Sequence, residues 1–333
     1  MSYIYKFTIL IIFSSIFISC SEEIVDVTTG DGNYYNWTVT PVSMDSVYKI
    51  SAANDDVAFI AGNSSYKVTG SNIERIDFAD TSFKCNGVDA FDKNNAVFWG
   101  SSTSGIALKL KVYDTGVFTS YNFTAGFPYS KIIFIDKNKF YFASETKYYF
   151  FDNGVLTSFD VPAAETAKGF GKVGGSIYLF TSFYTSGFSQ DRAYRLAGNN
   201  LLLVSNVASQ GRIHFLNNDV VRVTQDSTNH VLDYFNGSDW VNFFSFPTPA
   251  NTYYIQYLAG DTRNQFLWVW FDWNVNAYAA VFSVSAKIEQ TNFPTSAITV
   301  NIPAIKTVSN YSDNTYYIID KYRATKLVKG KLK

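Results

Sequence analysis

The chain has 333 residues, 27 Lys and Arg against 28 Asp and Glu, a formal net charge of −1, and 18% aromatic content that includes 30 Phe and 24 Tyr. A balance so close to neutral gives no long-range attraction to polyphosphate and excludes nucleic acid as an expected partner. Two cysteines cannot staple a chain of this size, so its core must hold it together, and the abundance of strand formers predicts an all-β protein.

Residues 1–19 carry one cation, Lys6, then an apolar stretch from Phe7 to Ile18 and the small residue Ser19, with Cys20 next. This is the layout of a signal peptide, too short and too poorly flanked for a transmembrane helix. Phe17, Ile18, Ser19 and Cys20 together resemble a bacterial lipobox, with Phe where Leu is usual. The resemblance implies that Cys20 is acylated and becomes the new N-terminus. The acidic run Ser21, Glu22 and Glu23 resembles the surface-export signal of Bacteroidota lipoproteins. It implies an outer-membrane protein, lipid-anchored and facing outward, with the membrane as its first partner. An ordinary secretory peptide cleaved near Ser19 or Cys20 is the alternative. Residues 20–35 are expected to form the lipidated cysteine and a flexible tether, and residues 36–333 a single domain.

Within that domain a polar turn followed by an apolar strand recurs seven times. The first apolar residues are Val57, Ala96, Phe140, Ile177, Val220, Phe266 and Tyr316, so the period runs from 37 to 50 residues. One four-stranded propeller blade has this length. A second marker runs out of phase, as an extended segment after a Gly or Asn turn: Val117 to Thr124, Val155 to Val161 and Trp240 to Phe246. Pro162 and Pro247 follow the last two, which suits the outermost strand of a blade. The final repeat lacks such a segment, whereas residues 36–41 have its character. The expectation is a β-propeller of seven four-stranded blades, closed by the N-terminal strand in the last one.

Residues fit for catalysis are scarce. His214 and His230 have no metal-ligand spacing and no serine elbow, and they are expected at the surface or in a groove. Cys85 is expected as a buried inert thiol. Asp55, Asp56, Asp92, Asp136, Asp219 and Asp313 sit in the recurring turns, where Asp side chains bond nearby backbone. The Ser-x-Asp-x-Gly-x-x-Trp turns of sialidases and the Trp-Asp dipeptide of WD repeats are absent. The C-terminal cations Lys321, Arg323, Lys326, Lys329, Lys331 and Lys333 read as the solvent face of a last strand.

Two places are candidates for recognition. Trp273, flanked by Asp272 and Asn274, could stack on a sugar ring while its neighbours supply hydrogen bonds. Residues 182–192 read as a long aromatic hairpin connection that includes Tyr184 and Arg192. No cofactor or metal is called for. The expected function is binding or scaffolding, with a glycan or an envelope protein as partner. A polysaccharide hydrolase or lyase, and an envelope assembly factor with only a protein partner, are the alternatives.

Overall fold

The computed structural model describes residues 23–25, 35–44, 46–102, 105–128, 130–185, 187–208, 211–225, 229–247, 252–272, 277–283, 287–289, 305–312, 315–320 and 325–332. These residues form β-sheets throughout, and none of their helices is long and apolar enough to cross a membrane.

Six sheets are four-stranded and antiparallel, each built from consecutive strands. In chain order they are blade 1 (residues 47–76), blade 2 (83–123), blade 3 (133–160), blade 4 (165–208), blade 5 (212–247) and blade 6 (252–289). The first strands of successive sheets lie beside one another, as a propeller requires.

The expected count of seven four-stranded blades is corrected: among the described residues six sheets have this build. The remaining sheet has five strands and draws on both ends of the chain. Ile305–Ser312, Thr315–Asp320 and Lys326–Leu332 come from the C-terminal part. Tyr35–Pro41 pairs with the last of these from Tyr35 opposite Leu332 to Pro41 opposite Lys326. Glu23–Val25, within the stretch expected as a tether, adds a fifth strand along Trp37 to Val39. The last repeat supplies only three strands of its own, so its open edge is satisfied from the other chain end.

The apolar runs seen in the sequence are the second strands of their sheets. Where their side chains are described, these runs are largely buried on both faces because a blade is packed between two others. In blade 3, Phe140 and Phe142 pack with Val97 and Leu110 of blade 2. The alternate residues Tyr141 and Ala143 pack with Phe170 and Leu179 of blade 4. The two-residue period thus sends successive side chains into different interblade layers. Phe59, Phe98, Phe140 and Phe180 are all 0% exposed in such layers, where truncation of one ring to alanine costs about 3–5 kcal/mol. The composite sheet joins blade 1 in the same way: Tyr317, Ile319 and Leu327 pack with Ile50, Ala58 and Ile60. Lys329 reaches Asp56 at 3.0 Å, and the Tyr317 hydroxyl donates to the Asp55 carbonyl at 2.9 Å.

Candidate binding cavity in the channel

The first strand of each sheet lines the channel, and side chains at matched register positions stitch neighbouring blades there. Ser309, opposite Tyr317, accepts from the Ala52 amide at 2.9 Å. Ser51, opposite Phe59, accepts from the Ala90 amide at 2.9 Å. Asp89, opposite Val97, accepts from the Ile132 amide at 3.2 Å. Each such bond satisfies an inward-facing backbone donor that its own sheet leaves unpaired.

Two cavities open around this ring. The wider, about 550 Å³, is bordered by Lys49, Asp89, Trp99, Ser130, Lys131 and His214, among others. The narrower, about 280 Å³, is bordered by Phe91, Phe134, Lys172, Asn218, Asp261 and Tyr311. Ser51, Lys131, Asn217, Ser309 and Asn310 border both and form the neck between them.

Charge in the wider cavity is unevenly satisfied. Asp89 is 1% exposed and takes both of its oxygens to Lys49, at 2.7 and 2.8 Å, in addition to the Ile132 amide. Among the described residues Lys131 has no carboxylate within ion-pair distance, and it donates to the Asn217 side-chain oxygen. Burial pulls its pKa down to about 8; attraction to Asp89 and, more weakly, to Asp261 across the narrower cavity opposes this, and repulsion from Lys49 and Lys172 adds to it. Lys172 donates to the Phe134 carbonyl at 2.8 Å, and burial lowers its pKa as well. His214 is half-buried with its ring dehydrated, which, with the Arg212 charge, lowers its pKa to about 4. It is therefore neutral at pH 7.

Among the described residues, four that border this cavity carry a buried polar atom without a hydrogen-bond partner: Trp99 Nε1, Ser130 Oγ, His214 Nε2 and Asn310 Nδ2. Trp99 is seated by Gly87, where an added Cβ would come within 2.1 Å of the indole. The Lys49 ammonium lies 5.9 Å from the ring centroid.

The residues singled out in the sequence are placed elsewhere. Cys20, Ser21 and Glu22 lie outside the described residues, as do Trp273 and Asn274; Glu23 opens the first strand and Asp272 ends the strand Gln265–Asp272. Residues 182–192 are not a long loop. Ser176–Thr185 pairs with Phe188–Ala197 up to Thr185 opposite Phe188, with Gly187 at φ 85° in the tight turn. The aromatic residues there belong to a projecting hairpin whose exposed positions include Tyr184, 70% exposed, and Phe188, 74% exposed. Arg192 does not join Tyr184 in a site. It pairs with the Glu165 carboxylate and lies 4.1 Å from the Phe183 ring centroid.

His230, expected at a surface or in a groove, is 1% exposed on the third strand of blade 5, where strand alternation turns it inward. Cys85 is buried, and desolvation pushes its thiol up to about 11. Asp219 is more than a turn residue, since it bridges to blade 6 through Arg263 at 3.1 Å. Asp313 lies outside the described residues. Sequence reasoning missed Lys49, Asp89, Lys131 and Lys172. Their signal was a lone charge in the apolar stretch shortly before a turn–strand unit.

No family model and no curated protein matches the chain. Among solved structures it is similar to YCF48 bound to a D1 peptide, with a TM-score of 0.62, 10% identity, and 92% of this chain and 97% of that chain covered. It is also similar to the β-propeller domain of the Trilobed protease from Pyrococcus furiosus, with a TM-score of 0.60, 7% identity, and 87% and 94% covered. A post-proline cleaving enzyme from Rickettsia typhi gives a TM-score of 0.56 at 15% identity, with 83% of this chain and 50% of that chain covered. At these identities the likeness establishes the β-propeller fold and nothing finer.

Proposed function

We propose that this protein is a surface lipoprotein, anchored through Cys20, whose propeller binds a protein partner at the channel without chemically changing it. The observation that carries this reading is the composition of the wider cavity. Its one carboxylate, Asp89, is consumed by Lys49 and a backbone amide, and its one imidazole is dehydrated and neutral. Serine and asparagine side chains, the Tyr48 phenol, an indole N–H and ammonium groups make up the other polar side chains of the lining, a set suited to hydrogen-bonded recognition. The peptide held by the similar YCF48 propeller supports a protein ligand in preference to a glycan. The anchor and outward display rest on the lipobox-like and acidic segments of the sequence.

Photo-crosslinking in intact cells tests the reading, with benzoylphenylalanine placed at Asn86 on the cavity wall and at Glu74 on the outer strand of blade 1. A discrete protein adduct at position 86 and none at position 74 is expected, with palmitate incorporation abolished by Cys20→Ala. Release of reducing ends or cleavage of peptides, lost in Asp89→Asn, would replace binding with catalysis.

A further inference from the structure

The wider cavity contains an excess of groups that can only donate. Among the described residues Trp99 Nε1 and Asn310 Nδ2 have no acceptor, and Lys131 has only the neutral oxygen of Asn217. An indole N–H, an amide NH₂ and an ammonium accept nothing, so a ligand that satisfies them must bring lone pairs and gains most if it brings negative charge. They come from two sheets and a connection: Trp99 from blade 2, Asn310 from the composite sheet, and Lys131 from the segment entering blade 3. Ser130 Oγ and His214 Nε2, also without partners, can adapt to either role. The carboxylate already present cannot serve, because Asp89 is held by Lys49 on both oxygens.

From this geometry we infer that the wider cavity is a carboxylate-binding site for an acidic peptide segment, with Trp99, Lys131 and Asn310 as its donors. The inference rests on the peptide-binding reading above and names the chemistry of the partner. A peptide fits better than an acidic glycan because of the surroundings of the donors. Gly87 lies against the Trp99 indole and the Lys49 ammonium is 5.9 Å from its ring centroid, which crowds the ring against a stacked sugar. The apolar wall of Ile50, Ile213, Phe215, Leu258 and Val308 suits aliphatic side chains beside the carboxylate. A burden of unpaired donors is costly in the free protein. A bound carboxylate recovers that cost, which makes the ligand's charge count for more than its shape.

The test follows the indole N–H resonance of Trp99 in the ¹⁵N-labelled full chain, kept in mild detergent and assigned by its disappearance in Trp99→Phe. Four probes are titrated: random hexapeptides blocked at both ends with a central Asp, the same pool with Asn, the Asn pool with a free C-terminal carboxylate, and trigalacturonate. A carboxylate pool, from the side chain or the terminus, should shift the resonance and bind about tenfold more tightly than the blocked Asn pool. The two carboxylate arms tell which source is used. Lys131→Met should erase that preference, while Lys172→Gln, on the far side of the neck, should retain most of it. Equal response to the neutral pool, no response to either carboxylate pool, or tighter binding of trigalacturonate would overturn the inference. A cross-linked partner that persists undiminished in Trp99→Phe would remove this site and leave the partner-binding reading in place.

Discussion

Two groups of dehydrated polar side chains, one inside blade 4 and one at the channel, differ in a single respect. Glu165 in blade 4 accepts from Arg192, from the Tyr194 hydroxyl at 2.6 Å and from the Thr181 hydroxyl at 2.6 Å, so donors and acceptors match. At the channel, donors outnumber acceptors, and an ammonium rests on a neutral amide oxygen. The first arrangement is complete within the chain and holds blade 4 together. The second leaves Trp99 Nε1 and Asn310 Nδ2 without a partner among the described residues, a deficit that the proposed ligand would fill. Accounting for donors and acceptors separates structural from functional charge where burial alone does not.

The largest consequence of that difference is in stability. Glu165→Leu strips Arg192, Tyr194 and Thr181 of their common acceptor and is expected to cost about 3 kcal/mol in denaturant unfolding, at the low end for a broken buried pair because Arg192 stays 21% exposed. Lys131→Met is expected to change stability by less than about 1 kcal/mol, since it also removes a dehydrated charge. A loss in Lys131→Met as large as that in Glu165→Leu would erase the distinction.

Alkaline pH sharpens the contrast because the two sites respond in opposite directions. Lys131 titrates at about 8 in the folded chain against an ordinary 10.5. Between these values the unfolded chain binds the extra proton, so this group makes stability rise with pH across that window. Tyr194 is pushed up to about 12 from 10.0, first by burial and then by Glu165. The folded chain therefore keeps a proton the unfolded chain has lost, and stability falls from about pH 10 to 12. Lys131→Met should flatten the rise and Tyr194→Phe the fall, each read from unfolding midpoints against pH. The same slope in wild type and Lys131→Met would mean that the ammonium is not dehydrated. The smallest effect is expected at Tyr184→Ala, within about 0.5 kcal/mol, because the ring is 70% exposed. A larger loss would show that the hairpin tip packs on something.

The blades were legible because a strand buried on both faces cannot alternate, and an uninterrupted apolar run after a polar turn marks it. Val57, Ala96 and Phe140 all open such runs and all start or enter second strands. The fourth strands were legible for the opposite reason, as in Val155–Asp160, whose residues are all exposed or half-buried, in contrast to the inner strand Lys139–Ala143, which is nearly all buried. The extra strand Glu23–Val25 was not legible, since three residues carry no periodicity. Residues 182–192 were misread because exposed aromatics among polar residues resemble a loop, whereas they belong to a hairpin projecting from its blade. The cavity was illegible for a deeper reason. Lys49, Asp89 and Asn310 come from three sheets and Lys131 from the segment entering a fourth, and they acquire a common environment only when the ring is closed.

Closure through both chain ends also governs the order of events in folding. Tyr35 must find Leu332, nearly the full length of the chain away, before the composite sheet exists. Each contiguous blade can form from local hairpins, but this pairing has a high loop-closure entropy and follows them. Until then Tyr35–Pro41 and blade 1 present unpaired edges that invite intermolecular pairing. The closing strand therefore acts as a latch: the channel, and the site within it, come into being only once Tyr35–Pro41 has paired with Lys326–Leu332.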